Sequence, residues 1–176
     1  RLGLFPTLAP YLLPHIIPGL RARYPQLRLQ LAEEKTGDIL QLLQRGSLDA
    51  ALLALPVADT DVEIEILFNE PFVVALPSQH KLAGRKEISL GDLRGSELLL
   101  LEDGHCLREH ALEVCALAGA HERVDFHATS METLRQMVAA EVGITLMPLL
   151  AVKPPIAKTS NLVIRPFSGS APFRTI

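Results

Sequence analysis

The amino-acid sequence predicts an α/β fold arranged as two lobes, and three observations carry that prediction. Short segments with an apolar period of two, or with a brief unbroken apolar run, alternate with segments whose apolar residues recur every three to four positions. The order of elements over Arg1–Phe68 is echoed over Leu98–Phe167, in order only and without sequence repetition, across the extended stretch Asn69–Ser78. Of the 176 residues, 48% are apolar, enough to fill a core and to exclude intrinsic disorder. Such alternation predicts parallel sheets with right-handed crossovers. It also predicts a cleft at the carboxyl ends of the strands, where open α/β sheets bind ligands.

Arg1–Phe5 reads as the first strand. Leu12, Leu13, Ile16, Ile17 and Leu20 repeat at helical spacing, with Arg21 and Arg23 suited to the negative end of the helix dipole. Pro14 and Pro18 interrupt that run and predict a kinked or late-starting helix. Leu27, Leu29 and Leu31 alternate with Arg28 and Gln30 as a strand does. Ile39, Leu40, Leu42 and Leu43 make a second helix closed by Gly46, and the short run Leu48–Leu55, apolar but for Asp49, reads as a buried parallel strand. Strands follow at Val62–Leu67, Phe72–Leu76 and Glu97–Leu101. His105–Ala118 is a third helix stopped by Gly119, and Val124–Ala128 a strand. Ser130 caps a fourth helix, Met131–Ala140, with Leu134, Met137 and Val138 inward. Ile144–Met147, Leu162–Phe167 and Arg174–Ile176 complete the strands. A chain that opens and closes on strand material reads as an excerpt from a longer polypeptide.

Charge and cysteine content narrow the function. The 17 Lys and Arg against 20 Asp and Glu leave a net charge of −3 and a pI near 6.1, which argues against a nucleic-acid-binding surface. Two cysteines, Cys106 and Cys115, are too few for a disulfide-dense secreted scaffold. No signal peptide is evident, and the longest apolar run falls short of a membrane span. These features predict a soluble, cytoplasmic domain.

Three turns place a hydroxyl where a strand meets a helix: Phe5-Pro6-Thr7, Lys35-Thr36-Gly37 and Thr129-Ser130-Met131. Each hydroxyl is either a simple helix cap or, if the three converge, part of a site for a small polar ligand. The segment with the most chemistry is Leu101-Glu102-Asp103-Gly104-His105-Cys106-Leu107-Arg108, followed by Cys115. Cys106 falls at a helix start, where unpaired N–H groups lower a thiol pKa and His105 and Arg108 add to the effect. A thiolate attacks peroxide oxygen or a disulfide sulfur. Cys115, between Val114 and Ala116-Leu117, reads as a buried and weakly ionised thiol. Nine residues of unbroken helix separate the two by about 13.5 Å of rise and about half a turn. A disulfide needs Cα atoms within roughly 7 Å, so the pair can bond only if residues 106–115 unwind. Any such disulfide is a conformational switch, not a staple.

Other readings of these residues stay open. Both cysteines could be inert core residues, which fits Cys115 better than Cys106. Cys106 and His110 lie four apart, with His105, His121 and His127 nearby, but the spacing matches no standard zinc pattern. His15 and His80 read as surface or packing residues, and Glu33-Glu34-Lys35 as a solvated strand end. No serine sits in an elbow motif that would signal a Ser–His–Asp set.

Thr7–Leu20, Leu48–Leu52, Thr129–Ala140 and Gly143–Pro148 resemble the effector-binding domain of LysR-type transcriptional regulators, and the likeness runs over essentially the whole chain. Within that family, Glu102–Arg108 with Cys115 resembles the hydrogen-peroxide-sensing members. The resemblance implies two Rossmann-like subdomains joined by a hinge, similar to type 2 periplasmic binding proteins. Residues 1–72, with 169–176 returning to them, would form one subdomain and residues 73–168 the other. An N-terminal winged helix-turn-helix that binds DNA and a C-terminal remainder would lie outside this chain. By the same resemblance, peroxide oxidises Cys106 to a sulfenic acid, which Cys115 resolves as a reversible disulfide. The implied peroxide pocket comprises Thr7, Thr36, His105, Arg108, Thr129 and Arg174. Implied partners are hydrogen peroxide, further copies of the chain in a dimer or tetramer, DNA through the N-terminal domain, RNA polymerase and a thiol reductant. No cofactor, metal or membrane is implied, and the domain is expected to sense and not to turn over. Two rivals remain: a thiol peroxidase or disulfide oxidoreductase, although no CxxC is present, and a LysR-type domain that senses an organic effector with incidental cysteines.

Overall fold

A computed structural model describes residues 1–58, 61–156 and 159–176. Its first part contains β1 (Leu2–Leu4), α1 (Ala9–Arg23), β2 (Leu31–Glu33), α2 (Thr36–Gln44) and β3 (Ala50–Leu52). The chain continues through β4 (Asn69–Pro77), β5 (Glu97–Leu101), α3 (Cys106–Ala118), β6 (His121–Ala128) and α4 (Met131–Ala139). It ends with β7 (Thr145–Pro148), β8 (Leu162–Pro166) and β9 (Phe173–Thr175).

Local chemistry sets the helix ends that matter most. Ser130 is extended and its hydroxyl accepts from the Thr133 amide, so α4 starts where a cap satisfies an orphan donor. Gly119 takes a left-handed φ of 66° and stops α3, a conformation that costs other residues more. The expected late start of α1 is not what forms. The helix begins at Ala9 and runs through both Pro14 and Pro18. Pro10, Pro14 and Pro18, spaced by four, all lie on the exposed side, so carbonyls robbed of their N–H partners face water.

Several strands are shorter than the apolar pattern suggests. Pairing begins only at Leu31, so Leu27–Gln30 are not strand, and the run Leu48–Leu55 pairs only over Ala50–Leu52. Val62–Leu67 forms no strand: Ile64, Ile66 and Leu67 are exposed, and no ladder supports the alternation of Ile and Glu.

β1 pairs in parallel with β2 and β3, and β5 in parallel with β6. The expectation of parallel sheets fails around β4, which lies antiparallel to β7, β8 and β9. An unbroken apolar strand signals burial on both faces, and burial does not fix strand direction. Asn69–Pro71 pair with β9 while Val73–Pro77 pair with β8 and Phe72–Ala75 with β7, so one strand runs from one sheet into another.

Two apolar clusters result. The larger gathers β4, β5, β7, α4 and most of α3, with Leu98, Leu99, Val138 and Met147 almost fully buried. The smaller joins Phe5, Leu8, Ile39, Leu48, Ala54 and Ile176, and it includes Cys106. The first residue of α3 therefore packs with one cluster, whereas Leu107, Ala111, Val114 and Cys115 pack with the other.

Candidate redox site

The site forms where the turns after β1, β2 and β5 meet the last strand. Thr7 is buried in the turn before α1, and its hydroxyl caps nothing. Instead Arg174, from β9, donates Nη1 to Thr7 Oγ1 at 2.8 Å and Nη2 to the Thr7 carbonyl at 2.9 Å. The same guanidinium donates Nε to Glu70 Oε2 at 2.8 Å and lies 5.0 Å from the Phe5 ring centroid. Glu70 completes its bonding by accepting the Leu150 amide at 3.0 Å. A fully buried cation is thus held by one carboxylate and one hydroxyl.

Cys106 opens α3 beside this cation. Burial pushes its thiol pKa up, against Arg174 and the Thr7 and Thr36 hydroxyls, which favour the anion. The expected lowering at the helix start is not found, because removal from water outweighs the groups that favour the anion. His105 adds no charge either, since burial and Lys35 depress its pKa and keep the ring neutral near pH 7. Two buried polar atoms, Thr36 Oγ1 and His105 Nε2, have no hydrogen-bond partner among the described residues, although His105 Nε2 lies 4.0 Å from Glu102 Oε1. Thr36 favours the thiolate although its oxygen meets no partner of normal hydrogen-bond geometry. Unsatisfied buried groups of this kind cost free energy.

The other sequence-derived residues lie elsewhere. Arg108 turns away from the thiol, pairing with Glu122, with Asp103 at 2.8 Å and with the Leu101 carbonyl at 3.2 Å. It fastens α3 to β5 and β6. Thr129 stands exposed beyond β6, and no hydrogen bond ties it to the Thr7–Arg174 group among the described residues. Cys115 is buried in the larger cluster, its thiol pushed up to about 11 by burial. Both cysteines are free thiols, with α3 unbroken between them. His110 is occupied, with Nε2 3.0 Å from the Leu55 carbonyl and its ring against Phe72. Among the described residues no three His, Cys, Asp or Glu side chains gather as a metal-holding group. No helix among them is long and apolar enough to cross a membrane. A hollow of about 940 Å³ lies apart from the thiol, beside β3 and lined by Leu48, Leu52, Ile64, Leu67 and Ile176.

Sequence reasoning missed Glu70 and Lys35. Glu70 announces itself only as a carboxylate at the head of an apolar strand. Lys35, taken as part of a solvated strand end, is half-buried and donates to Glu102 Oε1 at 2.7 Å.

The LysR substrate binding domain family matches residues 1–176. The hydrogen peroxide-inducible genes activator of Escherichia coli O157:H7 is 49% identical over 177 residues, covering 100% of this chain and 57% of that protein. The chain thus spans somewhat more than half the length of the curated relatives it matches. A crystal structure of the reduced form of OxyR superposes with a TM-score of 0.87 at 45% identity, covering 99% of this chain and 82% of that one. The oxidized form of OxyR superposes with a TM-score of 0.86 at 48% identity, with the same coverage. The fold is therefore periplasmic-binding-protein-like, and the chain belongs to the LysR substrate-binding domain family.

Proposed function

We propose that this chain is the regulatory domain of a cytoplasmic, LysR-type transcription activator that detects hydrogen peroxide through Cys106. The observation that carries the reading is a thiol at a helix start, held against a buried cation and two hydroxyls, with a second thiol on the same helix. The names of the relatives and the two redox forms of the structural neighbour support it.

Peroxide enters the nook formed by Thr7, Thr36 and His105. The Cys106 sulfur attacks one peroxide oxygen, the O–O bond breaks, and the thiol proton ends on the departing oxygen as water. Thiol plus H2O2 thus gives sulfenic acid plus water. Before peroxide arrives, burial keeps the sulfur protonated. Arg174 and the hydroxyls stabilise negative charge as it develops in the transition state, where preorganised donors act most strongly. The sulfenic acid leaves a polar group within the Phe5–Ile39 cluster, at a cost that favours its departure. Attack by the Cys115 thiol then forms the disulfide and releases a second water, and a dithiol reductant restores both thiols. Because α3 must unwind for this, the event is a switch and not a turnover cycle.

The two subdomains comprise residues 1–72 with 169–176, and residues 73–168. Further copies of the chain, DNA held by a separate N-terminal domain, and RNA polymerase read the rearrangement. Mass spectrometry after stoichiometric peroxide is expected to find a Cys106–Cys115 bridge that Cys106→Ser abolishes. Absence of the bridge in the unsubstituted protein overturns the sensing reading. Sustained peroxide consumption with reductant would favour a peroxidase instead.

A further inference from the structure

We infer that Lys35 is a positioning residue for the redox switch: it latches the Glu102–His105 turn in its reduced arrangement and so slows conversion of the sulfenic acid to the disulfide. The inference rests on the sensing function proposed for Cys106. Lys35 ends the turn after β2 and precedes α2, whereas Glu102 and Asp103 follow β5. Its ammonium donates to Glu102 Oε1 at 2.7 Å and to the Asp103 carbonyl at 3.0 Å, tying two separate sheets together at the thiol's doorstep.

The turn is pinned from the opposite side too. Asp103 accepts Lys35 on its carbonyl and Arg108 on its carboxylate at 2.8 Å. Gly104 takes a φ of +86°, and a Cβ built there would lie 3.1 Å from Lys35 Cδ. The lysine stem therefore lies against a position that only glycine fills without strain. Four residues separate the end of β5 from Cys106, so any motion of Cys106 toward Cys115 pulls on this turn. Lys35 does not touch the reacting sulfur, and its removal is expected to change the second oxidation step and not the first.

Both partners are partly exposed, and exposed pairs are weak, so the expected effect is about two- to fivefold. The test compares the unsubstituted chain with Lys35→Met, Lys35→Arg and Glu102→Gln. In reduced protein without peroxide, Lys35→Met and Glu102→Gln are expected to speed amide exchange at residues 103–108 and leave α4 unchanged. After peroxide, disulfide formation should accelerate about two- to fivefold. The rate of sulfenic acid trapping by dimedone in a Cys115→Ser background should stay the same, and Lys35→Arg should restore the original disulfide rate. Unchanged exchange at 103–108, or equal acceleration of both oxidation steps, overturns the latch. If the unsubstituted chain forms no disulfide, the sensing reading fails, and the exchange measurement alone decides whether Lys35 holds the turn.

Discussion

At the scale of single residues, the site balances burial against a fixed cation. The raised thiol pKa of Cys106 sets a pH dependence whose sign follows directly. Alkylation of reduced protein by a small thiol reagent should climb with pH past the ordinary value near 9, without an earlier plateau. A plateau near neutrality would mean that Arg174 and the hydroxyls outweigh burial. For Cys115 the folded state favours the protonated thiol. Its contribution to stability is complete below pH 9 and declines as pH rises toward about 11, visible as a falling urea midpoint of the Cys106→Ser protein. Arg174 carries the larger stake. It is 1% exposed and Glu70 is 2% exposed, so Arg174→Ala strands a carboxylate in the core and also frees the Thr7 hydroxyl. Breaking a buried pair from one side costs about 3–5 kcal/mol, whereas removing both charges costs less. Urea unfolding of Arg174→Ala beside Arg174→Leu with Glu70→Leu checks this. Equal losses in the two proteins would show that the unpaired carboxylate is not the source of the cost.

At the scale of elements, what the sequence made legible follows local chemistry, and what it hid depended on distant partners. Ser130 and Gly119 announce their helix ends because a hydroxyl acceptor and a left-handed φ act within one turn of chain. The ends of β5 emerge correctly because an apolar run between polar neighbours is itself local. Val62–Leu67 carries a strand's alternation, yet alternation needs a neighbouring strand to become a ladder, and among the described residues only the amides of Leu67 and Phe68 find a backbone acceptor, the Ile176 carbonyl. The direction of β4 was hidden for the same reason, since its partners β7, β8 and β9 lie far along the chain. Around the thiol, Cys106, Thr7, Thr36 and Arg174 come together from four turns and strands. Arg108, two residues beyond Cys106, does not, because a helix turns residues so spaced to opposite sides. Proximity in sequence promised a cation at the thiol, and the fold supplies one from 68 positions later, at Arg174.

At the scale of the whole molecule, α3 joins the two apolar clusters, and the proposed disulfide sets their packing against a crosslink. Closing a short loop between Cys106 and Cys115 would stabilise a static fold by roughly 2–3 kcal/mol through the unfolded chain. Unwinding residues 106–115 removes Leu107 and Val114 from the larger cluster, where they are 2% and 3% exposed. Each such side chain contributes about 1.5–3 kcal/mol when fully buried, and Ala111 and the Arg108 contacts with Glu122 and Asp103 are lost besides. The packing lost therefore exceeds the crosslink gained. Peroxide-treated protein should melt several degrees below the reduced form, and dithiothreitol should restore the original midpoint. Cys115→Ser should show only the smaller drop that a buried sulfenic acid causes, because without the second thiol no bridge holds residues 106–115 unwound. An oxidised form that melts above the reduced one would mean that the bridge forms with α3 packing retained. The helical spacing of the two cysteines forbids that outcome while residues 106–115 stay helical.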